Sequence, residues 1–427
     1  MPSSTSTAPP PSVIPRTRWI TVLGVVAVVL VGLNLRAGIT SAAALFHDLQ
    51  AVLGYGPLVA AILPSIPTVT FAFAGAATAW LVRRIGVERT ILLALVILAA
   101  GLAIRAIPSV GMLLVGTVAG MCGIALCNVA MPSFIREHYA HRTSTLTGTY
   151  TITMSLGATA ASALGVPLAR QLGSPSLGLA AWSILAAVSV LVFIPLAIAG
   201  RPRPRPRQDA ALPVAPAEPG GSLLAVLRTR QGLLITGFFT VQALLVYSLI
   251  SWLPVILISR GMDPSAAGIM LGLMQLVTIP ATVVLLAMAT RPHLLRSAFM
   301  VCCIGILLGL SCLILLPVGF SVLSVVLLGL GLTIFPLLLV VISRSGRNAV
   351  ETTAISTVAQ SVGYLVASAG PFGLALLHTL AGGWTAPLWV LFVVAVIQLL
   401  LAWALTSDRP AGPAGQARRR RKREVPA

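Results

Sequence analysis

Twelve times along this chain an apolar run recurs that is long enough to cross a bilayer. The runs lie at about 19–46, 57–82, 90–107, 109–135, 145–169, 177–199, 231–258, 265–290, 296–317, 321–343, 352–378 and 384–406. Roughly 20 such residues span the hydrocarbon core. Inside lipid an open strand edge cannot be satisfied, so nearly all of the backbone is expected to be helical. Composition agrees: charged residues make up 9% of the 427, hydrophobic ones 57%, and the mean hydropathy is +1.00. Soluble domains carry about a quarter charged residues. An all-α integral membrane protein with twelve transmembrane helices is expected.

The formal net charge is +19. In a soluble protein that would suggest nucleic acid, but here the placement of the charge excludes it. If the N-terminus is inside, 24 of the 28 Lys and Arg residues fall on the inner side, leaving Arg36, Arg105, Arg170 and Arg260 for the outer side or the membrane. Such a bias sets orientation, so a multi-pass protein of the cell membrane with both termini cytoplasmic is expected. The first apolar segment runs too long for a signal-peptide core and is read as a retained helix. A basic run at 418–423 then fixes topology and meets anionic lipid. The five cysteines lie inside predicted helices without His or Asp at ligand spacing, so no metal and no cofactor are expected.

The organisation is read as a tail at 1–18, a six-helix bundle at 19–199, a Pro- and Ala-rich cytoplasmic linker at 200–230, a second bundle at 231–406 and a basic tail at 407–427. A faint internal repeat crosses the linker. A shift of 207 residues sets Gly54 on Gly261, Pro57 on Pro264, Ala60 on Ala267 and Arg84 on Arg291, and a shift of 206 sets Ser155 and Gly157 on Ser361 and Gly363. Two pseudo-symmetric six-helix bundles with a site between them follow.

No catalytic constellation is present. Each of the nine carboxylates falls at a helix end, in a loop or in a tail, so neither paired acids nor a mid-membrane proton relay is available. Against that background Arg36 stands out. It follows Trp19 by 17 residues, about 26 Å along a helix. One reading neutralises it with backbone carbonyls, helix C-termini or Asp48; the other leaves it facing a central cavity, awaiting an anionic or strongly polar solute. Asn34, Asn128, Tyr150, Gln242, Tyr247, Trp252, Gln360 and Tyr364 are the other polar or aromatic candidates within spans, each equally compatible with helix packing. Gln360 and Tyr364 share a helix face. Asn34 and Arg36 point about 200° apart on a straight helix, so both reach one cavity only if that helix is distorted.

The segments LNLRAGITS, RRIGVERTILL, CNVAMPSFIR, TGTYT, SWLPVIL and AQSVGYLVASAGP, in this order over roughly residues 20–405, resemble the cyanate and 2-nitroimidazole transporter family of the major facilitator superfamily. The resemblance implies alternating access and a small polar or anionic substrate; a monomer is the usual expectation for this fold, and the lack of catalytic residues leaves no enzymatic activity expected. It also implies Arg36, Asn34, Asn128, Tyr150, Trp252, Gln360 and Tyr364 as pocket or gate residues. Arg83, Arg84, Gly86, Glu88 and Arg89 correspond to the superfamily's cytoplasmic gate. They depart from its pattern because Arg83 stands where an acid is usual, with Glu88 nearby to supply the charge. Export is favoured over import, since no mid-membrane acid is present to carry a proton. The competing expectation is a transporter-like sensor that binds a small ligand and signals through a cytoplasmic partner docked on the linker or basic tail.

Overall fold

A computed structural model describes residues 18–199, 223–346 and 349–407, the side chains at 18, 223–225, 292, 349 and 350 excepted. The N-terminal tail, the linker up to residue 222 and the basic run at 418–423 lie outside the described residues. Twelve spanning helices are present among them: α1 Trp19–Leu53, α2 Pro57–Ile85, α3 Val87–Ile104, α4 Val110–His138, α5 Ala140–Gln171, α6 Pro175–Ala199, α7 Arg230–Ser259, α8 Pro264–Ala289, α9 His293–Leu315, α10 Val318–Ser343, α11 Glu351–Ala381 and α12 Thr385–Ser407. The end of the expected linker is not extended but forms a short helix, Leu223–Arg228, after which Thr229 caps α7 by accepting the Gly232 N–H at 3.0 Å.

Helix pairing repeats with a shift of six. In the first half α1 packs on α5 and α6, α3 on α4 and α6, and α2 on α4; in the second α7 packs on α11 and α12, α9 on α10 and α12, and α8 on α10. The halves meet along two equivalent seams, α5 with α8 and α2 with α11. The sequence match of Gly54 with Gly261 is also conformational. Both residues follow a helix with positive φ, 63° and 90°, and a proline begins the next helix three positions on.

Without a hydrophobic force to join helices in lipid, close approach between small residues must do so. A Cβ at Gly157 of α5 would lie 2.1 Å from the Leu33 carbonyl oxygen of α1, and one at Gly101 of α3 would lie 2.4 Å from the Gly120 nitrogen of α4. Large apolar side chains such as Ile184, Leu191, Ile198 and Leu400 remain exposed, as a lipid-facing surface requires. The helix breaks fall at particular places. Residues Leu63–Ser65 interrupt α2 beside Pro64 and Pro67, and Ser368 divides α11 just before Pro371. Helix α1 is continuous, so Asn34 and Arg36 do point to different sides.

The face carrying the start of α1 and the end of α12 is here the termini face. The face carrying the Gly54–Gly56 connection is the distal face.

Candidate functional site

Arg36 lies near the middle of α1 and is half-buried. Three phenols lie within range of its charge: Tyr150 from α5, and Tyr247 and Tyr364 from α7 and α11 of the other half. Among the described residues it makes no ion pair; Asp48 instead pairs with its neighbour His47 at 3.3 Å. The cation is thus within range of phenols from both halves, and no described carboxylate pairs with it.

The surrounding residues fix these phenols. Tyr150 donates to Asn128 Oδ1 of α4 at 3.3 Å. The Tyr247 and Tyr364 rings lie 6.0 Å apart, and Phe71 of α2 reaches across to both, at 6.1 and 5.5 Å. Phe239 of α7 meets Tyr364 edge-on at 4.9 Å, an approach possible because position 363 is glycine: a Cβ there would lie 2.3 Å from the Phe239 ring. Ring edges against ring faces favour such pairs. Gln360 lies one turn from Tyr364 and donates to Ser356 Oγ at 2.9 Å.

Asn34 is placed elsewhere. It is buried against α6, donating to Ser189 Oγ at 2.8 Å and to the Leu30 carbonyl of its own helix at 2.9 Å. Gln242 is likewise held within the second half, donating to the Leu332 carbonyl and accepting from Gln398. Trp252 lies toward the distal face, where its indole N–H donates to the Pro371 carbonyl at 3.0 Å and its ring meets Phe46 at 6.3 Å and Trp384 at 5.3 Å. Phe46 belongs to the first half and Trp252 to the second, so this aromatic group joins the two halves toward the distal face. Other bonds between the halves run the same way along the α5–α8 seam: Arg170 to Asp263 at 3.1 Å at the distal end, Thr159 to the Gly272 carbonyl at 3.2 Å, and Ser155 with Thr278 at 3.2 Å near the middle. Asp263 also caps α8 by accepting from Ser265 N–H at 2.8 Å; the Arg170 hydrogen bond, and then this one, hold its carboxyl below the ordinary carboxylate range.

At the termini face, Gly86 links α2 to α3 with φ 89°, a conformation that disfavours any side chain. Glu88 meets His138 Nε2 of α4 at 2.9 Å. Arg84 lies over the Trp80 ring at 4.6 Å, and Arg83 and Arg89 are exposed. Phe71 and Phe239 were not among the sequence candidates, because a phenylalanine inside an apolar run carries no contrast.

Residues 24–371 match the Major Facilitator Superfamily model. The chain belongs to the major facilitator superfamily. It is 31% identical over 377 residues to the uncharacterized transporter YycB of Bacillus subtilis, covering 87% of this chain and 90% of that protein. It is 30% identical over 385 residues to the 2-nitroimidazole transporter of Escherichia coli, covering 88% and 93%, and 27% identical over 377 residues to the cyanate transport protein CynX of the same organism, covering 87% and 94%. The protein is thus a multi-pass membrane transporter of small solutes and not an enzyme, in the branch of the superfamily that includes these carriers.

Proposed function

We propose that this transporter moves a small anion or strongly polar solute by alternating access, with Arg36 as its electrostatic anchor and Tyr150, Tyr247 and Tyr364 as hydroxyl partners. The observation that carries this reading is a guanidinium in the middle of a spanning helix, with no described ion pair and within range of phenols from both halves. A unit anion 4 Å from a guanidinium gains about 4 kcal/mol at an effective dielectric near 20, before desolvation. Asn128 sets the Tyr150 hydroxyl, and Gln360 lies within one turn of the pocket. Asn34 has a packing role in α1–α6, and Trp252 acts at the distal closure. Cyanate-like and nitroimidazole-like solutes are the first candidates, in keeping with two relatives.

The bundles are 19–199 and 231–406, with the termini face cytoplasmic, as the Lys and Arg distribution favours. The termini-face group Arg83, Arg84, Gly86, Glu88 and Arg89 then gates the cytoplasmic end. A potential negative inside drives a lone anion outward by about 2.3 kcal/mol per 100 mV, and export is the direction proposed.

Counterflow in proteoliposomes with cyanate, bicarbonate, nitrate, short carboxylates and nitroimidazoles tests this, comparing the unmodified chain with Arg36→Gln. Exchange of one solute that falls at least about tenfold in the folded variant supports the anchor role, tenfold being about 1.4 kcal/mol. Undiminished exchange would make Arg36 a structural charge.

A further inference from the structure

Arg105 follows the last turn of α3 and is 1% exposed, the largest side chain buried so completely among the described residues. Small residues put it there. Gly101, Gly116 and Gly120 let α3 and α4 approach until a Cβ at Gly116 would lie 2.5 Å from the Gly101 carbonyl and 2.9 Å from the Arg105 side chain. The guanidinium then extends over Gly120 into a small pocket lined also by Gly38, Phe46, Pro64, Thr117 and Ser251. Its Nη1 donates to the Gly38 carbonyl at 3.2 Å, while Nε and Nη2 are buried and without a described hydrogen-bond partner. No carboxylate lines the pocket. A guanidinium carries five N–H donors and no acceptor, and leaving such donors buried and unmatched is costly.

Ser251 makes this more than an isolated charge. It comes from α7 in the second half, is buried, and its hydroxyl takes part in no described hydrogen bond. Thr117 is already committed, donating to the Leu113 carbonyl at 2.6 Å. The pocket thus offers unused donors from both halves, under net positive charge, in a volume too small for an extended solute.

We propose that the pocket between Arg105 and Ser251 is a second site, for a small monovalent anion of halide to triatomic size. Its two donors belong to opposite halves near the distal face, so an anion held between them favours the closed distal end. The site stands independently of whether Arg36 binds solute.

The purified full chain in detergent is titrated with sodium bromide, sodium nitrite and sodium cyanate at constant ionic strength, following thermal unfolding and heat of binding. The unmodified chain, Arg36→Gln, Arg105→Gln and Ser251→Ala are compared. The expected result is an anion-dependent rise in Tm that survives in Arg36→Gln, vanishes in Arg105→Gln and needs about tenfold more anion in Ser251→Ala, the usual scale for one hydrogen bond to a charged group. A response equal in Arg105→Gln and the unmodified chain overturns the proposal, as does the absence of any response in Arg36→Gln. Should Arg105→Gln fail to fold, Arg105→Lys and Ser251→Ala decide: a weakened response in both supports the site, and an unchanged midpoint in both overturns it. Failure of the Arg36 anchor would register separately, as undiminished counterflow in Arg36→Gln.

Discussion

Substituting Gly157 by alanine adds one methyl group where the backbones of α5 and α1 approach closely. The new Cβ would lie 2.1 Å from the Leu33 carbonyl oxygen and 2.7 Å from its carbon, whereas real Cβ contacts essentially never fall below 3.0 Å, so the helices must part by about 0.9 Å. Both partners are backbone and cannot rotate away. Overpacking of this kind costs about 1–3 kcal/mol, against at most about 1 kcal/mol returned by the better helix propensity of alanine. The displacement has a functional side, because α1 carries Arg36 and α5 carries Tyr150. A misplacement of about 1 Å at a reacting or binding centre can cost on the order of a hundredfold. Two controls lie on the same helix: Gly148, with nothing within 4 Å of an added Cβ, and Gly165, whose nearest neighbour would be at 3.6 Å. Thermal unfolding in detergent and counterflow in proteoliposomes should therefore be nearly normal for Gly148→Ala and Gly165→Ala. For Gly157→Ala, Tm should fall and exchange should drop at least about tenfold. Equal behaviour of all three variants would refute the claim that this seam positions Arg36.

Two further outcomes are expected. The Arg170–Asp263 pair ties the halves at the distal face, and because the Asp263 carboxyl is held low in the folded chain, its contribution is present above the unfolded value and lost as pH falls through the folded one; distal-side opening, read by labelling of an engineered cysteine, should therefore increase only in acid below the usual carboxylate range, and Asp263→Asn should abolish that pH dependence. Trp252→Phe keeps a ring against Phe46 and Trp384 but removes the donor to the Pro371 carbonyl, which should lower stability by about 1 kcal/mol while counterflow persists; loss of exchange to background would instead place Trp252 against the solute.

The helical architecture was legible because lipid allows so few solutions, and the repeat was legible because Gly54 and Gly261 occupy turns that need positive φ. Arg36 could be found as a lone charge in an apolar run. The separation of Asn34 from Arg36 followed from helix geometry alone, given a straight α1. The aromatic wall was not legible: Phe71 reaches Tyr247 and Tyr364 only through the α2–α11 seam, and pairings between distant helices leave no local pattern. The charge bias could place Arg105 only on the outer side or in the membrane, because its burial depends on glycines in two helices approaching one another.

The two seams between the halves are equivalent in topology but unequal in stiffness. At one, α5 from Thr143 to Gln171 and the whole of α8 run without interruption, cross-linked by the three described hydrogen bonds between the halves. At the other, the interrupted stretch of α2 packs on the segment of α11 beyond Ser368, so two broken helices face one another. Bending stress concentrates where a helix has already lost its regular hydrogen bonds. If the proposed alternating access operates, the halves move as a door does: α5 and α8 form the jamb, and α2 and α11 the yielding edge.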